Sequence, residues 1–99
     1  MKPRGRPKKN RLIKGEPKIG QFSPRGRPGR PDEVSLTIDQ YEAIRLADHK
    51  GMEHSQACKL MGVSRQTFSR ILKQAHKKLA DGIVNGKILR FEGGNVQIG

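Results

Sequence analysis

Gly62 interrupts a long run of helically spaced apolar residues, and it dictates how that run must fold. Before it, Ala57, Leu60 and Met61 share one face. After it, Phe68, Ile71, Leu72, Ala75, Leu79 and Ile83 recur at helical spacing for more than four turns. The connection is Gly62-Val63-Ser64. Glycine lets the chain reverse sharply there, which a residue with a Cβ does only at a cost. Two helices crossing at such a turn need a small residue four positions before the glycine, and Cys58 stands there. Ser64 has the character of an N-cap, and Val63 and Phe68 have the spacing of a hydrophobic staple. The spacing predicts one helix from about Glu53 to Met61. It predicts another from Ser64 to the stop at Asn85-Gly86, with Gly82 weakening its last turn without ending it.

A further helix is predicted upstream. Thr37 and Gln40 form a capping box, Leu36 and Tyr41 can close a staple, and Asp39 and Glu42 suit the positive end of the dipole. Tyr41, Ile44 and Ala47 share a side, and the helix stops by Gly51. Three helices with a tight turn between the last two read as a helix-turn-helix domain over residues 34–86. Residues 87–99 follow as a short strand, Ile88-Leu89-Arg90-Phe91, a turn at Glu92-Gly93-Gly94-Asn95, and a second strand, Val96-Gln97-Ile98. A lone hairpin is marginal in water. It must pack on the helices or pair with another subunit, and the second option makes the protein a homodimer.

The chain has 99 residues, enough for one small domain, and only 4% are aromatic. Its formal net charge of +12 is unevenly placed. Residues 1–31 hold eleven Lys/Arg against one acid, so 11 − 1 = +10; residues 32–99 hold ten against eight, so 10 − 8 = +2. The first third also contains all six prolines. Such a segment cannot bury enough apolar surface to fold alone. It reads as a disordered basic arm, with Ile19 to Phe22 as its one candidate docking point. The expected fold is therefore mainly α: a three-helix helix-turn-helix domain with a flexible basic N-terminal arm and a short C-terminal β strand or hairpin. A basic arm on a small domain suggests an acidic polymer as partner, nucleic acid first and an anionic membrane surface second. No apolar run approaches the ~18 residues of a membrane span, and no signal-like stretch opens the chain, so a cytoplasmic, nucleoid-associated protein is expected. A single thiol, Cys58, excludes an internal disulfide and a multi-cysteine zinc site. His49, His54 and His76 are not spaced as a ligand set, so neither metal nor cofactor is expected.

The polar face of the third predicted helix carries the chemistry. With the apolar positions removed, Arg65, Gln66, Ser69, Arg70, Lys73, Lys77 and Lys78 remain, and none is acidic. A solvated face mixes signs, whereas a one-sign face suits phosphate. The N-terminal residues of a recognition helix reach base edges. Arg65 suits guanine and Gln66 adenine, with Ser69 and Arg70 one turn on. Lys73, Lys77 and Lys78 suit the DNA backbone, and Ser64 and Thr67 complete the set at the helix start. Each proposed base reader has a phosphate contact as its alternative. In the arm, Arg4-Gly5-Arg6-Pro7 is repeated as Arg25-Gly26-Arg27-Pro28. Both resemble the AT-hook, whose arginines run along a narrow A·T minor groove. A non-specific electrostatic tether is the alternative.

Three blocks carry a wider resemblance: Thr37 to Asp48, Met61 to Phe68, and Asn85 to Arg90 with Glu92 to Asn95. They resemble an uncharacterised bacterial and archaeal family of predicted DNA-binding proteins with a helix-turn-helix like region four of sigma factors. Phe22-Ser23-Pro24-Arg25-Gly26 is similar to that family's lead-in, which implies packing on the domain as an alternative to a second hook. Two departures stand out. Glu53-His54 replaces the usual serine before the second helix, and the cysteines many relatives carry near the N-terminus are missing, so no metal or redox role is implied. The leading expectation is a sequence-specific transcriptional regulator on double-stranded DNA. The alternatives are an architectural nucleoid-type binder and a module that contacts RNA polymerase. An enzyme is not expected, because no paired carboxylates or nucleophile–base set appears.

Overall fold

Thr37 opens the helical part of the chain as its neighbours dictate. In a computed structural model, which describes residues 10–26 and 29–99, the Thr37 hydroxyl accepts the Gln40 N–H. The Gln40 side chain accepts the Thr37 N–H at 3.0 Å in return. Helix α1 spans Ile38–Ile44 and runs into a π-helical turn, Arg45–His49. Helix α2 spans His54–Met61 and α3 spans Arg65–Val84. Between α2 and α3, Gly62 is left-handed at φ 68°. The Gly62 and Val63 N–H groups turn back to the Lys59 and Cys58 carbonyls at 3.2 and 3.0 Å. This Schellman closure satisfies two carbonyls of α2 and reverses the chain within three residues. The core lies where the helices meet: Ala43, Leu46, Ala57, Cys58, Met61, Phe68, Ile71 and Leu72.

The rest of the described chain is not helical, which corrects the expected fold class. Five strands occur among the described residues: β1 Arg11–Ile13, β2 Gln21–Phe22, β3 Glu33–Leu36, β4 Ile88–Phe91 and β5 Val96–Ile98. They make two sheets. β1 pairs with β5 in parallel; β4 lies between β2, antiparallel, and β3, parallel. The domain is thus a small α/β unit rather than a mainly α one. The expected C-terminal hairpin does not form, because β4 and β5 each pair with an N-terminal strand instead of with each other. The expected flexible arm is corrected over its described part, since residues 11–13 and 21–22 are strands that supply those partners. Backbone N–H and C=O groups need partners wherever a segment packs, and within one chain these two stretches satisfy each other.

Two glycines mark where strands and helices approach closely. A Cβ on Gly82, in the last turn of α3, would collide with the Leu89 side chain of β4 and lie 3.1 Å from Val34 of β3. Gly82 is therefore the point where α3 rests on the sheet. Gly94, at φ 98°, backs onto the start of α1, where a Cβ would lie 2.8 Å from an Asp39 carboxylate oxygen. Next to it the Gly93 carbonyl accepts the Ile38 N–H at 3.0 Å, so the β4–β5 loop caps α1. Leu60 and Ile83, expected to face inward, are 53% and 72% exposed. At its last turn α3 has run past the other helices, and the sheet takes Gly82 rather than Ile83.

Ion pairs complete the frame. Glu42 is buried on α1; Arg45 donates to both its oxygens at 2.8 Å, and the Lys14 N–H donates to one at 3.2 Å. That hydrogen bonding holds the Arg45 guanidinium even further above its already high ordinary value. At the other end of the domain the Lys87 ammonium and the Asn85 amide donate to Asp81 at 2.8 and 2.7 Å. Both hydrogen bonds, that from Lys87 first, hold the Asp81 carboxyl below its usual value.

Two outcomes follow from these contacts. Alanine is a better helix former than glycine by roughly 1 kcal/mol, yet Gly82→Ala should lower stability by about 1–3 kcal/mol through overpacking against Leu89. A double-mutant cycle with Leu89→Ala, followed by urea unfolding, should show strong coupling. Because the folded-state value of Asp81 is depressed, its contribution to stability is present above the unfolded value of about 3.9. It is lost as pH falls through the folded value. Lys87→Met should flatten the acid limb of the stability–pH curve relative to the parent chain.

Candidate nucleic-acid interface

Ser64 lies in the extended conformation before α3; its hydroxyl accepts the Thr67 N–H at 3.0 Å and donates to the Thr67 hydroxyl at 2.9 Å. Ser64 and Thr67 therefore build the cap, and their oxygens are partnered within it. The cap leaves the first helical residues, Arg65 and Gln66, exposed at the positive end of the helix. Phe68, Ile71, Leu72 and Ala75 turn into the core. The opposite face is what helical geometry leaves over: Gln66, Arg70, Lys73 and Lys77 at steps of three and four, all exposed. They form a stripe of about 16 Å at 1.5 Å per residue. From Ser64 to Ala80 the sequence holds five cations and no acid.

The residues that the sequence singles out do not all meet. Gln66, Arg70, Lys73 and Lys77 share this exposed surface, with half-buried Ser69 at its edge, and Arg65 is exposed at the start of the helix. Lys78 does not join them. It is half-buried, and its ammonium donates to the Gln40 side-chain oxygen of α1 at 3.1 Å. Arg25 is exposed at a turn following β2, next to Pro24, which shares a groove with Ile83 at the far end of α3. Arg4, Arg6 and Arg27 lie outside the described residues.

Two histidines border the stripe that the sequence did not assign to it. His54, the first residue of α2, meets the Ser69 hydroxyl at 3.1 Å through Nδ1 and sets its ring edge-on to Phe68. His76 of α3 pairs with Asp48 of the π-helical turn at 2.7 Å. Both line a cleft of about 360 Å³ with Ala47, Met52, Ser69, Leu72 and Lys73. His54 and Ser69 stand 15 positions apart and His76 and Asp48 stand 28 apart, so only tertiary packing could reveal either pair. Ser69 and Asp48 are held by different histidines, so no nucleophile–base–carboxylate chain is assembled here. Among the described residues, no three His, Cys, Asp or Glu side chains converge as a metal-ligand set. No helix among them is long and apolar enough to cross a membrane.

A family model described as "Protein of unknown function DUF134" matches residues 1–99. The chain belongs to the DUF134 family. It is similar to a UPF0251 protein of Prosthecochloris aestuarii, 48% identical over 93% of this chain and 60% of that protein. A UPF0251 protein of Thermoanaerobacter pseudethanolicus is 47% identical over 94% of this chain and 80% of its own length. One from Methanococcus vannielii is 45% identical, over 96% of this chain and 74% of its own length. This chain thus spans 60% of the Prosthecochloris relative. No solved structure matches it. Membership agrees with the family resemblance in the sequence blocks.

The division of labour within α3 can be tested by stability alone. Ser64→Ala removes the cap and should lower unfolding free energy by about 1 kcal/mol. Lys73→Ala, on the exposed stripe, should leave it within about 0.5 kcal/mol. Thermal unfolding of the two variants checks the difference.

Proposed function

We propose that the chain binds duplex DNA, with α2, the Gly62 turn and α3 acting as a helix-turn-helix and α3 entering the major groove. The observation that carries this reading is the exposed, acid-free stripe of Gln66, Arg70, Lys73 and Lys77 beside Arg65. A helix face of one charge sign repels itself and offers phosphate counterions their replacement. The donors differ along the helix. Arg65 and Gln66, at its start, have the fork and amide geometries that suit guanine and adenine edges. Lys73 and Lys77, two to three turns on, are point charges suited to phosphates. The short turn fixes α2 across α3, so the reading end is presented rigidly. A sequence-specific regulator of transcription is the role that this division between base edges and backbone serves.

The test is selection from random duplexes, followed by binding titrations at several salt concentrations. Arg65→Ala should cost roughly 1–3 kcal/mol and relax preference at one base position. Lys77→Ala should weaken all duplexes alike and reduce the log–log salt slope by about 0.9. Lys78→Ala should change binding less than Lys77→Ala, because its ammonium is engaged by Gln40. Retained base preference in Arg65→Ala would show that α3 is misregistered in the groove. Binding that follows A·T content alone would favour architectural binding. No binding to any duplex at low salt would overturn the DNA reading.

A further inference from the structure

We propose that the end of α3 remote from Arg65 is the contact surface for a second copy of this chain. The apolar surface there is continuous. Ile83 and Val84 are 72% and 79% exposed, and Ile19 and Phe22 are each more than half exposed. Phe22 and Ile83 line one groove together with Pro24 and Leu89, and Ile19 and Phe22 line the next with Tyr41. The strip thus runs from the last turn of α3 along β2, an edge strand of the three-stranded sheet. Single exposed apolar residues are ordinary, but a connected strip marks an interaction surface.

Charge selects the occupant. Lys87 is paired with Asp81 and Arg90 with Glu33, each at 2.8 Å, and Asp32 lies beside Ile83 and Val84. Residues 79–92 hold two cations and two acids; beside Ile19 and Phe22 the groove adds Lys14 and Lys18 against Glu16, and Arg45 there is paired with Glu42. Arg25 stands at the rim, and the floor itself is apolar. A polyanion gains little at such a balanced patch, and so does an acidic protein segment. A chain of net charge +12 can approach its own copy only where its charge is balanced, and this end meets that condition. The cationic stripe stays apart. Arg65 and Ile83 are separated by about 27 Å of helix at 1.5 Å per residue, well beyond a Debye length of about 8 Å. A two-fold axis through the strip makes the contact self-complementary.

This dimer stands without the DNA reading.

The test uses the full chain without DNA, followed by sedimentation velocity and light scattering from micromolar to millimolar concentration. The parent chain should show twice the chain mass, dissociating on dilution. Ile83→Lys with Val84→Lys should be monomeric throughout with unchanged helical circular dichroism, since cations at a helix C-terminus suit its dipole. Val84→Lys alone should raise the dimer Kd. Leu60→Lys, an exposed leucine on α2, should leave the dimer intact. A monomeric parent chain at every concentration would overturn the proposal. So would a dimer that survives the double substitution, or one lost equally in Leu60→Lys. DNA binding by a monomeric parent would leave the preceding reading standing while this one fails.

Discussion

The strand Ile88–Phe91 is the piece on which the other elements are assembled. It lies between Gln21–Phe22 and Glu33–Leu36, pairing with both. Its Leu89 side chain fills the space that Gly82 leaves on the underside of α3. Its Phe91 ring meets Phe22 and Tyr41 edge-on, with centroids 5.9 and 5.4 Å apart, which joins the sheet to α1. The loop leaving it presents the Gly93 carbonyl to the first N–H of α1. With the loop that leaves it, this four-residue strand thus touches the start of α1, the end of α3, one strand from the first third of the chain and one that follows it. Without it, Gly82 would be a weak point in a long helix, and Gln21–Phe22 would have no strand to join.

That arrangement explains what could be read from the sequence and what could not. Local signals were legible because their partners are a few residues away. The Thr37–Gln40 box, the Gly62 reversal and the Ser64 cap appear in the structure as the sequence implied. The apolar face of α3 from Phe68 to Ala75 was legible because its period is its own. The strands Arg11–Ile13 and Gln21–Phe22 were not. Each is only two or three residues long, set among cations, glycines and prolines, and each pairs with residues 67 or more positions away. Composition marks such a stretch as disordered when no partner is in view. The pairing of Arg11 with Val96 supplies that partner, and no local window contains both.

The candidate site divides along the same line. Gln66, Arg70, Lys73 and Lys77 are what remains when a helical face is removed, and local periodicity settles that; Arg65 is exposed because it opens the helix. Lys78 passes the same filter but lies next to α1, and only the crossing of α1 over α3 brings Gln40 to its ammonium. His54 and Ser69 meet for the same reason, through the crossing of α2 over α3. The exposure of Leu60 and Ile83 is not legible in the sequence, because period alone does not say where a helix lacks a neighbour.

The cationic stripe is a liability to the helix that carries it. Arg70 and Lys73 are three residues apart, and Lys73 and Lys77 four; like charges at these spacings cost a few tenths of a kcal/mol each. Arg65 sits at the positive end of the dipole, and the first turn has no acid to offset it. Burial of Phe68, Ile71 and Leu72 outweighs these losses, at roughly 1.5–3 kcal/mol for each large side chain. The Ser64 cap and the support of Leu89 under Gly82 add to the margin. The fold therefore tolerates the stripe and does not need it. A helix stabilised only for its own sake would place acids at its start and mix signs along its length, as α1 does with Asp39, Glu42 and Arg45. Where a sequence departs from local stability rules on one face and compensates on the other, the departing face is where function is expected. In this chain that face runs from Gln66 to Lys77, with Arg65 exposed at the helix start.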